Sequence, residues 1–182
     1  IGAVGRLTEQ KGFNILIEVS EELAKKNVQF VILGRGHEFI ENMLKHLSMK
    51  FREKFSVKLD FNLDVARLIM AGSDAFIMFS RYEPCGLTQM YSMARGVLPI
   101  VRGTGGLADT VEDNKTGFVF EKYAKEEALK TIERAMDTYY NKKTDWQMMI
   151  QEAMRRRFTW EDSALKYAQL FVSAKQRAMG NQ

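Results

Sequence analysis

Ile1-Gly2-Ala3-Val4-Gly5-Arg6-Leu7-Thr8-Glu9-Gln10-Lys11-Gly12-Phe13 joins an apolar run to a polar loop bounded by glycines, then enters a helical pattern. From there Phe13, Leu16, Ile17, Leu23 and Ala24 recur at the spacing that lines one face of an amphipathic helix. Strand, glycine-bearing loop and helix in this order begin a parallel crossover unit. The alternation continues: apolar, β-branched-rich runs occupy 28–33, 57–59, 75–79, 98–101 and 118–120. Helical spacing fills 37–50, 64–72, 87–95, 124–140, 145–156 and 160–178. Strands that are continuously apolar belong in a parallel sheet covered on both faces. The expected fold is a doubly wound α/β domain spanning 1–182, with a terminal helix at about 160–178 that Thr159 and Asp162 cap.

Composition agrees with a single globular domain: 182 residues, 46% hydrophobic and 27% charged. The net charge of +4 mildly favours an anionic ligand. One cysteine, Cys85, excludes an internal disulfide framework, and with only His37 and His46 beside it no zinc-like cluster is expected. No apolar stretch is long enough for a membrane span, and no secretory leader pattern opens the chain. Because it starts at Ile1, without Met and inside an apolar run, a fragment is expected, with any address signal upstream. The run Arg155-Arg156-Arg157 reads as a solvated helix end. It is also the only support, with the basic balance, for a remote alternative, a nucleic-acid-binding domain.

Parallel sheets bind ligands beyond the carboxyl ends of their strands, so the loops after the apolar runs hold the candidates. In the first, Arg6 offers a planar fork and Lys11 a point charge beside a helix start, a plausible diphosphate clamp. In the second, Gly34-Arg35-Gly36 opens like a dinucleotide fingerprint, but Phe39 replaces its third glycine and a plain turn suffices. In Ser80-Arg81-Tyr82-Glu83-Pro84-Cys85-Gly86-Leu87-Thr88, a carboxylate precedes fresh helix amides, placing an acceptor for hydroxyls beside donors for phosphate. Gly103-Thr104-Gly105-Gly106 suits either a close backbone approach to a ligand or a turn. No Asp-x-Asp and no Gly-x-Ser-x-Gly motif occurs, which weakens metal-dependent transfer and hydrolysis.

Taken in order, these strings resemble the bacterial glycogen synthases and plant starch synthases, glucosyltransferases of the GT-B fold. The likeness lies in Gly5-Arg6-Leu7-Thr8 with Gln10-Lys11-Gly12, and in Glu83-Pro84-Cys85-Gly86-Leu87-Thr88-Gln89. It continues through Thr104-Gly105-Gly106-Leu107 with Asp109-Thr110, and Thr116-Gly117-Phe118. The resemblance implies a Rossmann-like C-terminal half that carries the nucleotide, with glucose transferred from ADP-glucose to the non-reducing end of an α-1,4-glucan. It implies retention of configuration, ADP as product, and neither cofactor nor metal.

By matching position, Arg6 and Lys11 would hold the diphosphate, with Gly5, Thr88 and the amides of Gly86 and Leu87 nearby. Glu83 would orient glucose hydroxyls. Thr104, Gly105 and Gly106 would border the sugar nucleotide, Cys85 would lie in the site as a small packing residue, and Phe61 would face adenine or fill the core. Asp109 would cap or orient its loop. The pattern's second carboxylate is missing, since Tyr91 stands eight residues after Glu83. Also missing is the Lys-x-Gly-Gly loop of the family's N-terminal domain. The chain is therefore expected to need that domain as its partner, in bacterial cytoplasm or plastid stroma, and to transfer little glucose alone. A non-catalytic nucleotide- or glucan-binding module of the same fold is the alternative.

Overall fold

The computed structural model describes residues 1–180. Six parallel strands form one sheet: β1 (Gly2–Val4), β2 (Phe30–Leu33), β3 (Phe55–Lys58), β4 (Ala75–Met78), β5 (Leu98–Arg102) and β6 (Phe118–Phe120). Their order is β3-β2-β1-β4-β5-β6, with every pairing parallel. The connecting helices are α1 (Phe13–Ala24), α2 (Glu38–Lys50), α3 (Leu63–Gly72), α4 (Thr88–Met93) and α5 (Gly106–Thr110). After β6 come α6 (Lys125–Asn141), α7 (Lys143–Arg155) and α8 (Trp160–Gly180). The doubly wound α/β fold is thus present.

The helices α1, α2 and α6 pack side by side, while α3 lies over β1 and β2 and α4 over β4 and β5. Central strands covered on both sides can be apolar throughout: Phe76, Leu98, Ile100 and Val101 have no exposure. The smaller core, beneath α3, joins Leu33, Ile69, Phe76 and Val97. Asn62 starts α3 by accepting a hydrogen bond from the Val65 amide at 3.0 Å, the N-cap arrangement that satisfies an otherwise unpaired donor.

Three differences from the sequence reading have local causes. The third strand begins at Phe55 rather than 57, because the Phe55 ring stacks on Phe30 of the neighbouring strand, 4.9 Å between centroids. The glycine stretch after β5 does not remain a turn; it enters the short helix α5. Phe61 is 83% exposed, so the core-packing alternative is overturned. At the other end of the chain, Thr159 caps α8 as expected, accepting from the Asp162 amide while its hydroxyl donates to the Asp162 carboxylate. Yet Trp160, Tyr167 and Phe171 all remain more than half exposed along that helix.

Candidate functional site

The strand order reverses direction between β1 and β4, and such a switch point opens a crevice beyond the strand ends. Two loops meet there. Gly12, at φ 76°, has no room for a Cβ, which would overlap the Phe79 carbonyl oxygen. Glycine therefore lets loop 5–12 close onto loop 79–87. The Arg81 amide donates to the Gln10 carbonyl oxygen at 2.8 Å, fixing the approach.

This juxtaposition brings Lys11 and Glu83, 72 residues apart, into an ion pair at 2.5 Å. Glu83 is only 7% exposed, and Ser80 Oγ donates to the same carboxylate oxygen at 3.0 Å. A buried carboxylate is tolerated when it is paired and hydrogen-bonded in this way. A cavity of about 100 Å³ lies alongside, lined by Gly5, Lys11, Gly12, Ser80 and Thr88 among others. That is well below the roughly 300–1,000 Å³ of pockets that enclose a whole ligand. The rest of its lining is apolar, from Val4, Phe13, Leu16 and Ile77 among others, so its polar groups gather on the Lys11, Ser80 and Thr88 side.

Arg6 is exposed beside this cavity's loop and, among the described residues, has no ion-pair partner within 4.0 Å. Gly86 (φ 69°) turns the chain into α4, where Thr88 is half-buried and Cys85, Leu87 and Tyr91 are exposed. Phe61 stands on the loop after β3, at the sheet edge two strands away from β1. Thr104 is half-buried at the end of β5.

Gly105 and Gly106 have an internal reason to be glycine. A Cβ on Gly105 would overlap the Glu83 carbonyl oxygen, and one on Gly106 the Cys85 carbonyl oxygen. Their close approach is to the Glu83 loop, which the Gly106 amide holds by donating to the Glu83 carbonyl at 3.1 Å. Asp109 stays exposed, and it is the neighbouring Thr110 hydroxyl that closes α5, donating to the Gly106 carbonyl. The fingerprint-like string acts similarly: Gly34 and Gly36 lie against the carbonyls of Gly5 and Leu7. Arg35 pairs there with Glu41, whose carboxyl the Gly36 amide, chiefly, holds below its ordinary range.

Sequence reading gave no role to several residues that shape the site. Gln89, fully buried at the start of α4, donates to the Cys85, Gly86 and Thr110 oxygens at 3.2, 2.7 and 3.0 Å. Its advance signal is its place at the end of the Glu83–Gln89 string, which marks the residue without its role. Ser80 shows none, because its support of Glu83 depends on the turn between them. Of the arginine run only Arg156 is tied into the fold, through Glu112; Arg155, 3.8 Å from Glu152, and Arg157 are exposed at the end of α7, as a solvated helix end requires. Among the described residues, no three His, Cys, Asp or Glu side chains gather where a metal could sit. No helix among them is long and apolar enough to cross a membrane.

Comparison with known proteins places the fold and the family. Residues 1–155 match the family described as glycosyl transferases group 1. The chain is 44% identical to a glycogen synthase of Fervidobacterium nodosum, over 97% of this chain and 37% of that protein. It is 46% identical to a glycogen synthase of Thermosipho melanesiensis, over 96% of this chain and again 37% of the relative. Among solved structures, the catalytic domain of starch synthase IV from Arabidopsis thaliana, bound to ADP and acarbose, superposes with a TM-score of 0.85. It shares 30% identity over 94% of this chain and 37% of that one. The chain thus spans little more than a third of the relatives it matches. Matched over most of its length and carrying its paired lysine and glutamate at the switch point of a doubly wound sheet, the chain belongs to the glycosyl transferases group 1 family.

Proposed function

We propose that this domain is the nucleotide-binding half of a glucosyltransferase of the glycogen and starch synthase type. Joined to an N-terminal GT-B domain, it transfers glucose from ADP-glucose to the non-reducing end of an α-1,4-glucan with retention of configuration. The observation that carries the reading is the meeting of Lys11 and Glu83 at the sheet's switch point. One is suited to a diphosphate and the other to sugar hydroxyls. The ADP in the starch synthase IV structure supports the choice of nucleotide.

In this reading Lys11 exchanges its bond to Glu83 for one to the incoming diphosphate, and the exposed Arg6 adds a second cation. Both then stabilise the negative charge that grows on departing ADP as the glycosidic bond breaks. Released from Lys11, Glu83 keeps its Ser80 bond and turns its remaining acceptor capacity to glucose hydroxyls. Charge neutralisation by two side chains gives the reaction no need of a metal. The small crevice and the exposed apolar side chains of α8 support a second domain that completes the enclosure, excludes water and holds the acceptor. We place the activity in bacterial cytoplasm or, for a plant protein, plastid stroma.

The test is incorporation of labelled glucose from ADP-glucose into glycogen by the full-length protein. Lys11→Ala and Glu83→Gln are each expected to lower kcat by on the order of 10² to 10³, and chelation by EDTA to leave the rate unchanged. A full-length protein that binds ADP but transfers no glucose would establish the alternative, a non-catalytic binding module. Full activity in both variants would remove these residues from the mechanism.

A further inference from the structure

For Lys11 to pass from Glu83 to the diphosphate while Glu83 stays on the sugar, the backbones that carry them must keep one separation, yet they sit on loops after different strands, and loops shift readily. Two polar residues outside the crevice's lining brace those loops. Arg102, the last residue of β5, donates from Nη1 to the carbonyl oxygens of Arg81 at 2.6 Å and Ser80 at 3.3 Å. Its Nε donates in another direction, to the Glu121 carbonyl oxygen at 3.1 Å. The fork thereby fixes the backbone that carries Ser80, and Ser80 in turn holds Glu83.

Tyr123, just beyond β6, reaches the other loop. Its hydroxyl lies 2.9 Å from the Glu9 carbonyl oxygen and 2.8 Å from Asn14 Oδ1, residues that flank Lys11 in the chain. The guanidinium groups of Arg102 and Arg81 stand 5.5 and 5.7 Å from the centre of its ring, within cation–π range. Burial, first of all, holds the phenol above its ordinary pKa, so the donor proton stays in place at neutral pH. One aromatic ring and one guanidinium therefore link the turn carrying Lys11 to the loop carrying Glu83.

We propose that Arg102 and Tyr123 are positioning residues, which set the distance between the diphosphate-holding lysine and the sugar-holding carboxylate without touching the substrate. This rests on the glucosyltransferase reading of the site. Binding of ADP tolerates a small displacement of Lys11, because a flexible ammonium follows its anion. The transition state does not, since a misplacement of about 1 Å can cost on the order of 10²-fold in rate. The effect belongs in kcat.

The experiment uses the full-length transferase and the variants Tyr123→Phe, Arg102→Gln and Arg102→Lys. Tyr123→Phe keeps the ring and loses only the hydroxyl. It is expected to lower kcat about tenfold with the ADP Kd within about twofold of the parent and the Tm within about 2 °C. Arg102→Gln falls further, and Arg102→Lys, with its charge but no fork, recovers part of the loss. In a Lys11→Ala background Tyr123→Phe adds no further loss, because it acts through Lys11. Unchanged kcat in Tyr123→Phe, a loss that multiplies with that of Lys11→Ala, or ADP affinity and Tm falling together with kcat would each overturn the proposal. Should Lys11→Ala itself keep full activity, the glucosyltransferase reading of the site fails and the positioning role with it.

Discussion

Gly5, in the loop after β1, and Gly106, the first residue of α5, differ in what a methyl group would meet. Around Gly5 there is open space within 4 Å; at Gly106 the added carbon would overlap the backbone of Cys85. Gly5→Ala is therefore expected to change unfolding free energy by less than about 0.5 kcal/mol. Gly106→Ala should cost roughly 1–3 kcal/mol as the Glu83 loop is pushed away. Denaturant midpoints measure both, and equal effects would contradict the packing described. At this scale the sequence is partly legible. Lys11 and Glu83 stand out because charges in loops after apolar runs need a reason, but their mutual pairing does not show across 72 intervening residues. Tyr123 is invisible, since its partners Glu9 and Asn14 lie more than a hundred residues upstream.

Elements were readable wherever hydrophobic burial dictates a period. All six apolar runs became strands, and the long amphipathic stretches became helices with ends shifted by a few residues. Legibility fails for the short pieces. The turn of helix at Glu9–Lys11 and the five-residue α5 bury too few side chains to leave a periodic trace, and contacts with neighbouring loops define them. The opposite case is α8, whose pattern and cap predict a helix correctly while its apolar side chains stay exposed. Since those side chains bury little against this domain, a chain ending at residue 158 should keep its thermal midpoint within about 2–3 °C. Differential scanning calorimetry of the two lengths would show it; a markedly lower midpoint would mean that α8 stabilises this domain itself.

For the molecule as a whole, continuous apolar strands alternating with helices indicate a doubly wound sheet, but not the order of its strands. That order, with β1 beside β4, creates the crevice and selects two of the four glycine-bearing loops to form it. The other two support them from behind: Gly34 and Gly36 back the Lys11 loop, and Gly105 and Gly106 the Glu83 loop. What results is one small cavity lined in part by Lys11, with the Glu83 carboxylate paired to that lysine. Calorimetric titration of this domain with ADP, beside UDP and repeated with Arg6→Ala and Lys11→Ala, tests it directly as a nucleotide site. Binding of ADP over UDP that disappears in both variants is the predicted result. ADP binding undiminished by either substitution, or no binding of either nucleotide, would contradict a nucleotide site at the β1–β4 crevice.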